Sequence, residues 1–193
     1  MSRVYNSGQT CMSPKRFLVQ RGIKEAFVNR LVDALSHITV GDPSNRDTYM
    51  GSLISEKAAS QVEKQVSHTI EQGARCVFGG KRANGAFYQP TVLSDVTAEM
   101  DVARDMEIFG PVFPVIEFLT REEAVTISNN SQYGLSGGIF TADIGKAILT
   151  ASELETGTVA VNGSGLYLNN EIQFGGYKMS GLGREGIFCS VEE

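Results

Sequence analysis

The sequence predicts an α/β domain built on an open, largely parallel twisted sheet flanked by helices. Three observations carry that expectation. Segments with the 3–4 apolar spacing of amphipathic helices alternate with short runs rich in Val, Ile and Phe. The helical stretches are long enough to carry the chain from one strand to a parallel neighbour. Hydrophobic residues make up 41% of 193 residues, enough to bury a core, and no charge block or low-complexity linker divides the chain.

Taken in order, residues 23–38 place apolar side chains at 23, 26, 27, 31, 34, 35 and 38, a helical face. Gly41 and Pro43 end that pattern. Ser55 and Glu56 read as an N-cap and a first-turn acid for a second helix. Its apolar ridge would be Ala58, Val62, Val66 and Ile70, and Gly73 would close it. Residues 75–78 read as a strand closed by Gly79-Gly80, and residues 87–93 as extended around Pro90. A short helix is expected near residues 98–105, then a strand over 112–119 and a helix over 121–130. A strand over 134–141, a helix over 143–154 and a strand over 158–162 complete the alternation. The whole chain, 1–193, reads as one domain.

Composition excludes several classes of function. With 17 basic against 22 acidic residues, the net charge is -5, unlike a dedicated nucleic-acid binder or a polybasic membrane clamp. Cys11, Cys76 and Cys189 are far apart and no CxxC occurs, so neither a disulfide framework nor a zinc knuckle is legible. His37 and His68 are the only histidines, and no metal site is expected. No run approaches the roughly 18 apolar residues of a membrane span, and the first ten residues lack a signal core. The expected location is the cytoplasm, with reduced thiols.

Glycine is over-used. Twelve of the 21 glycines lie between Gly134 and Gly186, which predicts turns and close backbone approaches in the last third. Gly181, Gly183 and Gly186 spell G-x-G-x-x-G, a dinucleotide fingerprint, but that motif works only as the turn between a strand and a helix. No buried strand precedes it and seven residues follow it, so it reads as a decoy.

Cys11 is the other candidate. Gly8 allows a tight turn ahead of it, and Ser13-Pro14 permits a helix to begin just beyond. A thiol near a turn or helix N-terminus has backbone N–H groups that favour the thiolate and can hold an oxyanion. Cys76, inside an apolar strand, reads as structural, and no histidine base for a cysteine hydrolase is in evidence. The residues alone thus lead to a soluble α/β domain with one reactive cysteine candidate.

The stretch Asn6-Ser-Gly8-Gln9-Thr-Cys11 resembles the active-site cysteine motif of the aldehyde dehydrogenase superfamily. It is joined, in the family's order, by Gly41-Asp42-Pro43, Pro90-Thr-Val-Leu93, Glu107-Ile-Phe109-Gly110-Pro111 and Val161-Asn162-Gly163. The stretch from Phe174 through Gly181-Leu-Gly183-Arg184-Glu185 completes the set. The resemblance implies the fold of that family's catalytic domain and a role for each matching position. Cys11 would be the nucleophile, with its own N–H as half of the oxyanion hole. Glu107 would accept hydrogen bonds from the nicotinamide-ribose hydroxyls, and Phe109 would pack beside the nicotinamide. Phe174 would wall the aldehyde tunnel, and Glu185 would serve near the active-site water as a relay.

The same resemblance implies NAD or NADP as cofactor, a small aldehyde as substrate and a homo-oligomeric intact enzyme. Residues 11–17 lean toward the succinate-semialdehyde branch. It also implies that an N-terminal cofactor-binding domain and a C-terminal oligomerisation extension lie outside these residues. The expectation is therefore a catalytic-domain fragment, inactive alone as a dehydrogenase. The other readings are a cofactor-independent thiol esterase using Cys11 and a non-catalytic assembly module.

Overall fold

In the computed structural model, which describes residues 2–187 and 189–192, the apolar runs become strands and the periodic segments helices. The first strand, β1, is Phe17–Gln20, followed by helix α1 at Lys24–Ser36 and helix α2 at Glu56–Glu71. Strands β2 (Arg75–Phe78), β3 (Thr91–Val96) and β4 (Val112–Phe118) follow. They form one sheet in the order β1-β4-β3-β2. β4 pairs in parallel with both β1 and β3, and β2 closes one edge antiparallel to β3. The expected open, largely parallel sheet is present.

β4 has neighbours on both sides, and its residues Val112 to Ile116 are all buried, which explains the unbroken apolar run VFPVI. Pro114 lies one residue ahead of the stretch that pairs with β1, so its missing N–H interrupts no rung there. Val4, Val19, Leu35, Met50, Val92, Phe113 and Val115 form a buried cluster against which Phe27, Val28, Leu31 and Val32 of α1 pack. Phe17 and Phe113 meet with ring centroids 5.2 Å apart.

α2 starts where expected. The Ser55 hydroxyl accepts from the Ala58 N–H at 3.1 Å, and Gly73, at φ +114°, lies just past its end. Its buried face is Ala59, Val62, Val66 and Thr69, which keeps Val62 and Val66 of the expected ridge but has Ala59 and Thr69 in place of Ala58 and Ile70, and Ile70 is exposed. Thr69 sits on that face by donating its hydroxyl to the Gln65 carbonyl at 2.8 Å.

Three expected elements differ. Residues 98–105 make only a 3-10 turn, Asp101–Ala103. The Asp101 amide donates to Gln72 and its carboxylate pairs with His68, so α2 fixes this segment before a helix can develop. The extended stretch at 87–93 becomes regular only from Thr91, past Pro90, which lacks an N–H. The expected strand over 134–141 is split into β5 (Tyr133–Gly134) and β6 (Ser136–Ile139), which pair with different partners.

Backbone contacts divide the chain into two compact units: residues up to Thr10 with Lys15–Thr120, and Cys11–Pro14 with Arg121 onward. The four-stranded sheet belongs to the first. The second holds α3 (Arg121–Asn129), β5, β6, α4 (Ile144–Glu153) and β7 (Thr158–Val161). β6 and β7 run parallel. The short strands β8 (Phe174–Gly175), β9 (Tyr177–Lys178) and β10 (Arg184–Glu185) follow, with β9 antiparallel to β5 and β10 antiparallel to β8. A four-residue helix, α5 (Cys189–Glu192), comes last.

Glycine in this unit marks places where one backbone touches another. A Cβ on Gly157 would lie 1.7 Å from the Gly175 carbonyl oxygen, so no other residue fits.

Candidate active site

The turn ahead of Cys11 uses backbone that most residues avoid. Asn6, Ser7 and Gly8 are consecutively left-handed, at φ 49°, 56° and 76°. Side chains hold this arrangement in place. Asn6 Nδ2 donates to the Gln9 carbonyl and Gln9 Nε2 to the Asn6 carbonyl, both at 3.1 Å. Ser7 Oγ donates to the Gly51 carbonyl at 3.0 Å, and the Ile54 N–H donates to Gln9 Oε1 at 2.8 Å. Gly8 runs directly against a second loop, since a Cβ there would lie 2.3 Å from the Gly110 oxygen.

That second loop carries Glu107 and Phe109. One guanidinium bonds to it and to the turn. Arg3 is 1% exposed and donates Nε to the Val112 carbonyl at 2.9 Å, Nη1 to the Gly8 carbonyl at 3.4 Å and Nη2 to the Ile108 carbonyl. Burial lowers its pKa to about 10, opposed by the nearby Glu107 charge, so it stays protonated at neutral pH. Burying the guanidinium costs free energy, and its bonds to three backbone carbonyls oppose that cost. A second arginine, Arg16, donates Nη1 to the Ala103 carbonyl at 2.9 Å, and burial also lowers its pKa, against the Asp105 charge.

Glu107 and Phe109 are both exposed, and they line one cleft of about 600 Å³ with Asn6, Gln9, Leu53 and Gln65. Phe109 is 42% exposed, where a core phenylalanine would be covered. Lys15 Nζ lies 2.9 Å from Glu107 Oε1 and 5.8 Å from the centre of the Phe109 ring. Gln65 Nε2 donates to the Glu107 carbonyl at 2.8 Å, fixing the backbone beneath the carboxylate. The cleft therefore offers an exposed carboxylate beside an exposed aromatic face.

The other site candidates lie in the second unit. Phe174 and Glu185 are direct cross-strand partners in the β8–β10 pair, Phe174 half-buried and Glu185 exposed. The G-x-G-x-x-G stretch supplies β10 of this antiparallel pair, as its rejection as a dinucleotide fingerprint requires.

Cys11 is exposed. The segment Cys11–Pro14 passes Gly165, where a Cβ would lie 3.2 Å from the Met12 carbonyl. The helix that Ser13-Pro14 would permit just beyond does not form. Phe17, Leu18 and Val19 instead join β1, whose pairing with β4 outweighs any helical start. No helix dipole therefore acts on Cys11 from the residues just after it.

Burial pushes the Cys76 thiol up, and it donates to the Phe78 carbonyl at 3.4 Å, a structural thiol as expected. Cys189 lies in α5, half-buried. Among the described residues no His, Cys, Asp and Glu cluster could hold a metal ion. His68 is instead paired with Asp101 at 2.7 Å.

Sequence reasoning passed over Arg3 and Lys15. Lys15 left one signal, a cation four residues after Cys11. Arg3 left none, because arginine is ordinarily exposed and its burial depends on carbonyls more than a hundred residues away.

Comparison with known proteins decides the family. The match to the aldehyde dehydrogenase family covers residues 1–193. The chain belongs to the aldehyde dehydrogenase family. Within it, the lactaldehyde dehydrogenase of Methanococcus aeolicus is 42% identical over 188 residues, 97% of this chain and 40% of that protein. The mitochondrial succinate-semialdehyde dehydrogenase of Mus musculus is 45% identical over 195 aligned positions, 100% of this chain and 37% of that protein. Among solved structures, an aldehyde dehydrogenase of Mycobacterium tuberculosis complexed with NAD+ superposes with a TM-score of 0.93 at 40% identity. That match covers 99% of this chain and 40% of the other. This aldehyde dehydrogenase chain thus spans about 40% of the length of the relatives it matches. Among its described residues, no helix is long and apolar enough to cross a membrane.

Proposed function

We propose that the chain is the cysteine-bearing part of an NAD(P)-dependent aldehyde dehydrogenase that oxidises a small aldehyde to its carboxylic acid. The observation that carries this reading is the cleft in which Glu107 and Phe109 stand exposed side by side in a chain of this family. The nicotinamide dinucleotide supplies the hydride acceptor when bound. Glu107 accepts hydrogen bonds from the ribose hydroxyls, and Phe109 presents its face to the nicotinamide.

Cys11, as thiolate, attacks the aldehyde carbon to form a thiohemiacetal, and its own backbone N–H donates to the developing oxyanion. Loss of hydride from that adduct leaves a thioester on Cys11. Water activated by a carboxylate base then releases the acid and regenerates the thiol. Phe174 forms part of the substrate wall, and its strand partner Glu185 serves the water. Succinate semialdehyde and lactaldehyde are the substrates to try first, because relatives at 45% and 42% identity are named for them.

The domain that cradles the dinucleotide phosphates and supplies the base lies outside these 193 residues. Alone, they are expected to give no dehydrogenase turnover. The test compares reduction of NAD+ or NADP+ by each aldehyde in a protein of the relatives' full length and in this chain by itself. Turnover confined to the longer protein supports the proposal. Comparable turnover by the 193 residues alone refutes the division of labour, and none in either form refutes the activity.

A further inference from the structure

We infer that Arg3 is a positioning residue that holds the nucleophile turn and the Glu107–Phe109 loop in register. The inference rests on the functional reading above only for what the two loops do. Its structural basis is independent. A single buried guanidinium donates to Gly8, in the turn three residues before Cys11, and to Ile108, the residue between Glu107 and Phe109. Its third bond, to Val112, anchors the group to the first residue of β4.

The planar fork suits this task. Guanidinium donors diverge at fixed angles and can reach carbonyls on separate segments, which an ammonium on a flexible stem does with far less geometric definition. The loops are also in direct contact, because Gly8 has no room for a Cβ beside Gly110. Contact sets how close the two backbones come, and Arg3 sets how they are aligned. The charged group acting on Arg3 is Glu107, whose charge favours the protonated guanidinium against the effect of burial.

Positioning and simple core filling lead to different outcomes on substitution. Arg3→Gln removes the charge and the fork, whereas Arg3→Lys keeps a cation that burial makes easier to deprotonate. By hydrogen exchange on the 193-residue chain, Arg3→Gln is expected to speed the amides of residues 8–10 and 107–110 about tenfold or more. Amides between β1, β3 and β4 should keep wild-type rates. In the full-length protein, Arg3→Gln should raise the dinucleotide KM about tenfold and leave the aldehyde KM near wild type. Arg3→Lys, which keeps a cation without the fork, should fall between wild type and Arg3→Gln near pH 7 and lose further dinucleotide affinity as pH rises, while wild type stays flat up to about pH 9.

Uniform acceleration across the whole sheet, or an unchanged dinucleotide KM, overturns the inference. If Arg3→Gln does not fold, the Arg3→Lys pH profile decides, and a profile as flat as wild type overturns it. Failure of the wild-type full-length protein to reduce dinucleotide would sink the functional reading alone. The exchange result would still judge Arg3.

Discussion

At Gly8 two independent constraints meet, a left-handed φ of 76° and a backbone oxygen 2.3 Å from any added Cβ. Gly8→Ala is therefore expected to destabilise the chain by roughly 2–4 kcal/mol, measured by urea unfolding, with a loss under about 0.5 kcal/mol contradicting the packing described. Glu107 is a different kind of residue. Its carboxylate is exposed and its ion pair with Lys15 contributes little to stability. Glu107→Gln should leave the unfolding midpoint near wild type. In the full-length protein it should raise the dinucleotide KM about tenfold, by loss of a charge-assisted acceptor. An unchanged KM would remove Glu107 from the cofactor site. The local sequence made Cys11 a candidate by itself, whereas Glu107 and Phe109 were singled out only through a resemblance. It could not show that Phe109 faces a cleft, because exposure of an aromatic ring depends on elements distant in the chain.

Among the elements, the C-terminal ends of the two central strands carry a charge network that the sequence did not disclose. Asp95, left-handed at φ 59°, pairs with Lys24 of α1 at 2.8 Å and with Arg75 of β2 at 3.1 Å. Glu117 of β4 pairs with Arg21 and, at 3.5 Å, with Lys24. The hydrogen bond from Lys24, more than those from Arg75 and Ser94, holds the Asp95 carboxyl below the usual carboxylate range, while burial opposes it. A depressed carboxylate contributes stability that is complete above its unfolded pKa of about 3.9 and is lost as pH falls through the lower folded value. Asp95→Asn, which tolerates the left-handed backbone, should cost about 0.5–1 kcal/mol at neutral pH and nothing near pH 2. A cost that persists at acid pH would mean the loss is not ionic. Helix starts were far more legible than this network. Ser55 and Asp143 both cap as their residue types suggest, with Asp143 accepting from the Lys146 N–H at 3.0 Å. Ser55→Ala should lower stability by about 1 kcal/mol in thermal or urea unfolding.

For the whole molecule, alternation of period and apolar runs was enough to anticipate an open, largely parallel sheet, because β4 and α1 owe their form to local pattern and burial together. The broken strand at residues 133–139 and the 3-10 turn at Asp101 were not legible, since pairing partners and contacts from α2 decide them. The excess of glycine was legible as close backbone approach, and Gly157 against Gly175 shows why. The function divides in the same way. Motif resemblance supplied the roles, and the structure places Glu107 and Phe109 in one cleft. Steady-state oxidation of succinate semialdehyde or lactaldehyde by the full-length protein, with saturating dinucleotide, tests the central claim most directly when wild type is compared with Cys11→Ala. Removal of the nucleophile should lower kcat/KM by at least about a thousandfold with dinucleotide binding retained. A Cys11→Ala protein within tenfold of wild type would contradict it.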